Sequence, residues 1–79
     1  MDRSEAFSQL RDAAVEVLHV EPSAVTEDAR FKEDLDADSL DLVELVMALE
    51  EQFDITVDES ELEGIETVDQ AFQLINSKL

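Results

Sequence analysis

A small all-α bundle is the fold class this sequence predicts, and three observations predict it. The 79 residues hold one glycine, Gly64, and one proline, Pro22, so helix breakers are scarce. Apolar residues recur at helical spacing in separate stretches. Each of these stretches is preceded by a residue or residue pair suited to capping a helix start. The expected architecture is a four-helix bundle with a short third helix and a long connection between the first and second helices. The chain reads as a single domain, 1–79.

The elements follow in order. Asp2 with Glu5 has the form of a capping box and opens a first helix over roughly 3–18. Phe7, Leu10, Ala14, Val17 and Leu18 recur on it at helical spacing. Pro22 stops any continuation. The connection over 19–37 is too long to float free, so Val20, Val25, Phe31 and Leu35 are expected to tie it to the core. Asp38 is the N-cap of a second helix over roughly 39–53. A short third helix is expected over roughly 59–63, capped by Asp58 and ended at Gly64. Thr67 with Gln70 opens a last helix, with Val68, Ala71, Phe72, Ile75 and Leu79 on one face. Ile55-Thr-Val57 has strand-like composition but no strand to pair with.

Composition narrows the function. Net charge is −17, from 22 acids against five bases, and residues 33–66 hold fourteen acids and no Lys or Arg. Such a surface repels nucleic acid and favours capture by basic patches on proteins. Apolar residues make up 44% of the chain and are periodic, which argues against disorder. There is no cysteine, hence no disulfide, thiolate metal site or cysteine nucleophile. The N-terminus lacks the apolar segment of a signal peptide, and no apolar run approaches the ~20 residues of a membrane span. A cytoplasmic monomer without membrane insertion is expected.

The second helix carries more apolar surface than a core needs. At about 100° per residue, Leu42, Leu45, Val46, Leu49 and Phe53 share one arc, wide enough to face the core. Leu40, Val43 and Met47 form a second stripe, bordered by Asp41, Glu44, Glu50, Glu51 and Asp54. This stripe is expected to dock partners, because exposed apolar patches mark interaction sites and a flexible thioether suits several partners. The alternative is that it packs beneath the long connection. Acids at the helix start suit the dipole, whereas Glu50, Glu51 and Asp54 stand at the unfavourable end. Their presence there points to a use outside the fold.

Ser39 is the focus of the chemistry. It stands where an acidic loop meets the second helix, and a phosphate on a helix N-terminus meets a favourable dipole and free N–H groups. Spacing alone leaves two readings, a cap or a modified hydroxyl. Asp38 can already cap the helix, so the hydroxyl is free for the second. A hydrolase would need a base, and the only histidine, His19, reads as the end of the first helix. Asp34, Asp36 and Asp38 have the opening spacing of a calcium loop. Its sixth and twelfth positions, however, hold Ser39 and Leu45 rather than glycine and glutamate. No dedicated metal site and no catalytic residue are expected.

The segment Leu35-Asp-Ala-Asp-Ser-Leu-Asp-Leu-Val-Glu-Leu-Val-Met-Ala-Leu-Glu-Glu-Gln-Phe53 closely resembles the central motif of acyl carrier proteins of dissociated (type II) fatty-acid synthesis. The likeness extends to Phe31-Lys-Glu-Asp-Leu35 and to Ile65-Glu-Thr-Val-Asp-Gln-Ala71. It implies that Ser39 receives 4′-phosphopantetheine from coenzyme A through a phosphodiester. It implies recognition-helix roles for Leu40, Val43 and Met47, and contacts with basic enzyme patches for Asp38, Asp41, Glu44, Glu50 and Glu51. Ile65 would line the route of the acyl chain.

The implied partners are a phosphopantetheinyl transferase and the malonyl transacylase, ketosynthase, ketoreductase, dehydratase and enoyl reductase of type II synthesis. The implied function is carriage of growing acyl chains as thioesters, not catalysis. A polyketide or other specialised acyl pathway is the alternative, and an acidic helical adaptor with unmodified Ser39 is the rival of another class. Two positions depart from many members: Asp36 stands for glycine and Asp58 for proline. Asp tolerates left-handed geometry better than most residues and is a good N-cap.

Overall fold

The computed structural model describes residues 2–79 as three α-helices and two 3₁₀ turns. The helices are α1 (Arg3–Leu18), α2 (Ser39–Phe53) and α3 (Val68–Ser77). The first 3₁₀ turn is Pro22–Ala24, with proline at its start where no N–H is needed. The second is Glu59–Leu62. The described residues contain no strand; Ile55–Val57 is irregular, and extended backbone pairs only at an antiparallel bridge between Arg30 and Thr67.

The helix boundaries follow the capping residues. Asp2 Oδ1 accepts the Glu5 N–H at 2.8 Å. Thr67 Oγ1 accepts the Gln70 N–H, and Gln70 Oε1 accepts the Thr67 N–H. α1 and α2 end at His19 (φ 57°) and Asp54 (φ 56°), left-handed caps made without glycine.

The expected short third helix is instead a single 3₁₀ turn. Five residues between Asp58 and the left-handed Gly64 (φ 83°) are too few to offset the cost of nucleating an α-helix.

The core joins all three helices and the connection. α1 buries Ala6, Leu10, Ala13 and Ala14. Its small residues allow close approach to α2, while Phe7, Val17 and Leu18 pack at the margin. α2 buries Leu42, Leu45, Val46 and Leu49, with Phe53 half-buried. α3 buries Val68, Ala71, Phe72 and Ile75. Leu79 was expected on that face but is 51% exposed, because the helix stops at Ser77 and the stripe stops with it.

The long connection is part of the core. Val25, Phe31 and Leu35 are buried as expected, together with Ala29 and Ala37, and Val20 is half-buried. Its backbone is also bonded to the entry of α3: Phe31 N–H to Glu66 O and Val68 N–H to Ala29 O, both at 2.9 Å. No helix of the described residues is long and apolar enough to cross a membrane.

Candidate functional site

Ser39 is the first residue of α2 and is exposed. Three residues earlier the chain turns through Asp36, which adopts the left-handed region at φ 53°. That geometry favours glycine, and Asp is among the few other residues that visit it readily. Asp38 then caps the helix in a reciprocal box. Its Oδ1 accepts the Asp41 N–H at 2.9 Å, and Asp41 Oδ2 accepts the Asp38 N–H at 3.2 Å. Among the described residues the Ser39 hydroxyl takes no part in this cap, and the amides of Ser39 and Leu40 make no hydrogen bond. Two N–H donors therefore remain open at the positive end of α2.

Beside Ser39 lies a cavity of about 580 Å³, walled by Phe31 and Lys32 of the connection, by Leu42, by Leu62 at the end of the second 3₁₀ turn and by Ile65 after it. A smaller hollow of about 260 Å³ lies between Ser39, Leu42 and Val43 on one side and Leu62 on the other. Ser39, Leu42 and Leu62 belong to both, so the serine lines a space between α2 and the turn whose walls are part apolar and part charged.

The turn that forms the far wall is held by charge. Glu61 Oε2 accepts the Asp58 N–H at 2.9 Å, and Oε1 lies 3.0 Å from Lys78 Nζ at the end of α3. The Asp58 N–H first, and Lys78 second, hold the Glu61 carboxyl below the usual carboxylate range. A proline at position 58 would have no N–H to give.

The residues expected to dock partners separate into groups. Leu40 and Met47 are 64% and 61% exposed, and Glu44 and Glu51 are exposed. Val43 is half-buried and faces the smaller hollow, so the apolar stripe is not a uniform surface. Glu50, expected to serve partners outside the fold, also has a use within it. Its Oε2 accepts the Val57 N–H at 3.1 Å and secures the chain after the helix. Ile65 lines the cavity.

Sequence reasoning passed over Leu62 and Lys32 as site residues. The one available signal for Leu62 was a lone apolar residue in the acidic run Asp58–Glu63. The described residues hold no group of three or more His, Asp or Glu placed for a metal ion, and no hydrogen bond joins His19 to Ser39.

The geometry can be set beside known proteins. A family model described as a phosphopantetheine attachment site matches residues 8–75. An acyl carrier protein of Petrotoga mobilis is 46% identical over all of this chain and 93% of its own length. Another, of Sulfurovum sp., is 51% identical over 90% of this chain and 95% of its own length. A crystal structure of an acyl carrier protein from Thermotoga maritima superposes with a TM-score of 0.84 at 28% identity. That match covers 99% of this chain and 91% of the other. The chain belongs to the acyl carrier protein family: it is a carrier of acyl chains with a phosphopantetheine attachment domain, not an enzyme.

Proposed function

We propose that Ser39 is the residue that takes 4′-phosphopantetheine and that residues 1–79 work as one carrier domain of type II fatty-acid synthesis. One observation carries the assignment of the serine. An exposed hydroxyl, outside the helix cap, stands beside two unbonded amides and lines a cavity whose apolar wall includes Leu42, Leu62 and Ile65. These features fit the group: the Ser39 and Leu40 amides suit a phosphodiester, and the cavity suits an apolar chain. When attached, the group supplies a terminal thiol that holds acyl chains as thioesters, which a chain without cysteine cannot supply itself. The protein's part is to tether that arm, raise its effective concentration at each enzyme, and shelter what it carries. The 3₁₀ turn Glu59–Leu62 takes the place of the short third helix and supplies the wall of the shelter.

As a carrier, the chain delivers acyl groups to acyl-handling enzymes. We assign recognition to Leu40 and Met47, with Val43 partly covered behind them, and to the acids Asp38, Asp41, Glu44 and Glu51. The acids on this face attract basic enzyme surfaces and speed encounter, and the exposed apolar pair adds contact area. The specific enzymes in this reading are the phosphopantetheinyl transferase and the malonyl transacylase, ketosynthase, ketoreductase, dehydratase and enoyl reductase of a cytoplasmic pathway.

Intact mass and peptide mapping after co-expression with a phosphopantetheinyl transferase test the assignment. One adduct on Ser39, absent in Ser39→Ala, is expected. An adduct on Ser4, Ser8, Ser23, Ser60 or Ser77 overturns it.

A further inference from the structure

We propose that Lys32 is the ionic partner of the phosphodiester carried on Ser39, and that it holds the root of the arm against the cavity rather than leaving it free in solvent. This rests on the attachment at Ser39. The surroundings of that serine are hostile to an added anion. Asp38 and Asp41 flank it, and fourteen acids crowd residues 33–66. Apart from the open amides of α2, any compensation from the protein itself comes from a base that reaches the same space. Two bases line the larger cavity with Ser39, Arg30 and Lys32. Arg30 is already engaged, its Nε 2.8 Å from Glu33 and 3.6 Å from Asp34. Lys32 is exposed, and among the described residues no carboxylate lies within ion-pair distance of it. An unpaired lysine in a chain of net charge −17 is a cation without a local use.

The backbone holds Lys32 in place. Asp34 N–H and Leu35 N–H both bond to Arg30 O, at 2.8 and 3.2 Å, and Asp34 Oδ2 accepts the Arg30 N–H at 2.8 Å. Phe31 and Leu35, on either side of the turn, are buried. Phe31 O also accepts the Ala37 N–H at 2.7 Å, and Ala37 lies two residues before Ser39. The residue that precedes Lys32 is thus bonded directly to the strand of chain that delivers the serine. The turn is pinned, and only the lysine side chain must order when the phosphate arrives.

The test compares apo and holo forms of the wild type, Lys32→Gln and Lys32→Arg. Removing a base lowers stability in both forms through general repulsion, so the holo-minus-apo difference in melting temperature is the quantity to read. In Lys32→Gln that difference is expected to fall by about 1–4 °C, the scale of one exposed ion pair in a domain this small. Lys32→Arg is expected to keep it. The ³¹P resonance of the holo-protein should respond to sodium chloride in the wild type and be less responsive in Lys32→Gln. Equal differences in all three proteins, each with Ser39 modified, overturn the proposal while leaving the attachment intact. Absence of any adduct on Ser39 overturns both. An effect confined to protein loaded with a malonyl group, and missing from the holo-form, assigns the lysine to the acyl carboxylate and overturns the phosphodiester reading.

Discussion

The side of the molecule formed by α1, α3 and the middle of the connection is held differently from the side that carries Ser39. On the first, the phenyl rings of Phe7 and Phe72 meet edge to face at 5.4 Å. The Arg3 guanidinium lies 4.8 Å from the Phe72 ring centre and also reaches Glu27 and Asp69. Packing, a cation–π contact and opposite charges act together there. On the second, the wall facing Ser39 is a four-residue 3₁₀ turn with none of its residues buried, tied to the rest by Glu61, Lys78 and the margins of Leu62 and Ile65. The weaker side of this carrier is the one beside Ser39. On that side the space beside the serine is closed by an element that is short and held mainly at its edge. Segments with few buried contacts open at low free energy.

Four substitutions test this contrast. The largest effect belongs to the core that both sides share. Leu49 is fully buried, and Leu49→Ala is expected to destabilise by about 2–5 kcal/mol. Met47, on the same helix but 61% exposed, should change stability by less than about 0.5 kcal/mol on truncation to alanine while weakening partner binding. Thermal melts and transfer kinetics on both variants check this. If Met47→Ala melts as low as Leu49→Ala, the surface stripe is core.

Arg3→Gln comes next, at about 1 kcal/mol, because it removes one exposed cation–π contact and two exposed ion pairs. In a domain of this size that is a melting-temperature loss of about 4–8 °C, and added salt should narrow the gap. A loss unaffected by salt would show that packing on Phe72, rather than charge, closes this side.

The effect on the wall of the cavity is small and is read through pH. The Glu61 carboxyl titrates below its ordinary 4.5, so its contribution is present above that value and is lost as pH falls through the lower, folded value. Glu61→Gln keeps an acceptor for the Asp58 N–H but loses the charge facing Lys78. It should melt below the wild type at neutral pH, and the two curves should converge in acid below about pH 4.5. If the variant melts higher at neutral pH, relief of acidic repulsion outweighs the Lys78 pair and charge does not clamp the turn.

Much of this protein is determined by local chemistry, and that part was legible in the sequence. The starts of α1, α2 and α3 lie at Asp2, Asp38 and Thr67 because capping involves residues within three or four positions of one another. The core arc of α2 follows from a period of 3.6 residues. Ser39 stands out because a hydroxyl at a helix start, beside a residue that already caps, has no local use. Tertiary structure decided the rest. The burial of Ala6 and Ala13 depends on how closely α1 meets α2, and alanine carries little signal of its own. Glu50 reads as a surface acid until the chain folds back and brings the Val57 N–H to it. The turn Glu59–Leu62 is too short for periodicity to classify. The cavity has no sequence signature, because its walls come from the connection, α2, the turn and the segment after it. Periodicity and capping report neighbours along the chain, whereas a cavity is made by residues that only the fold makes neighbours.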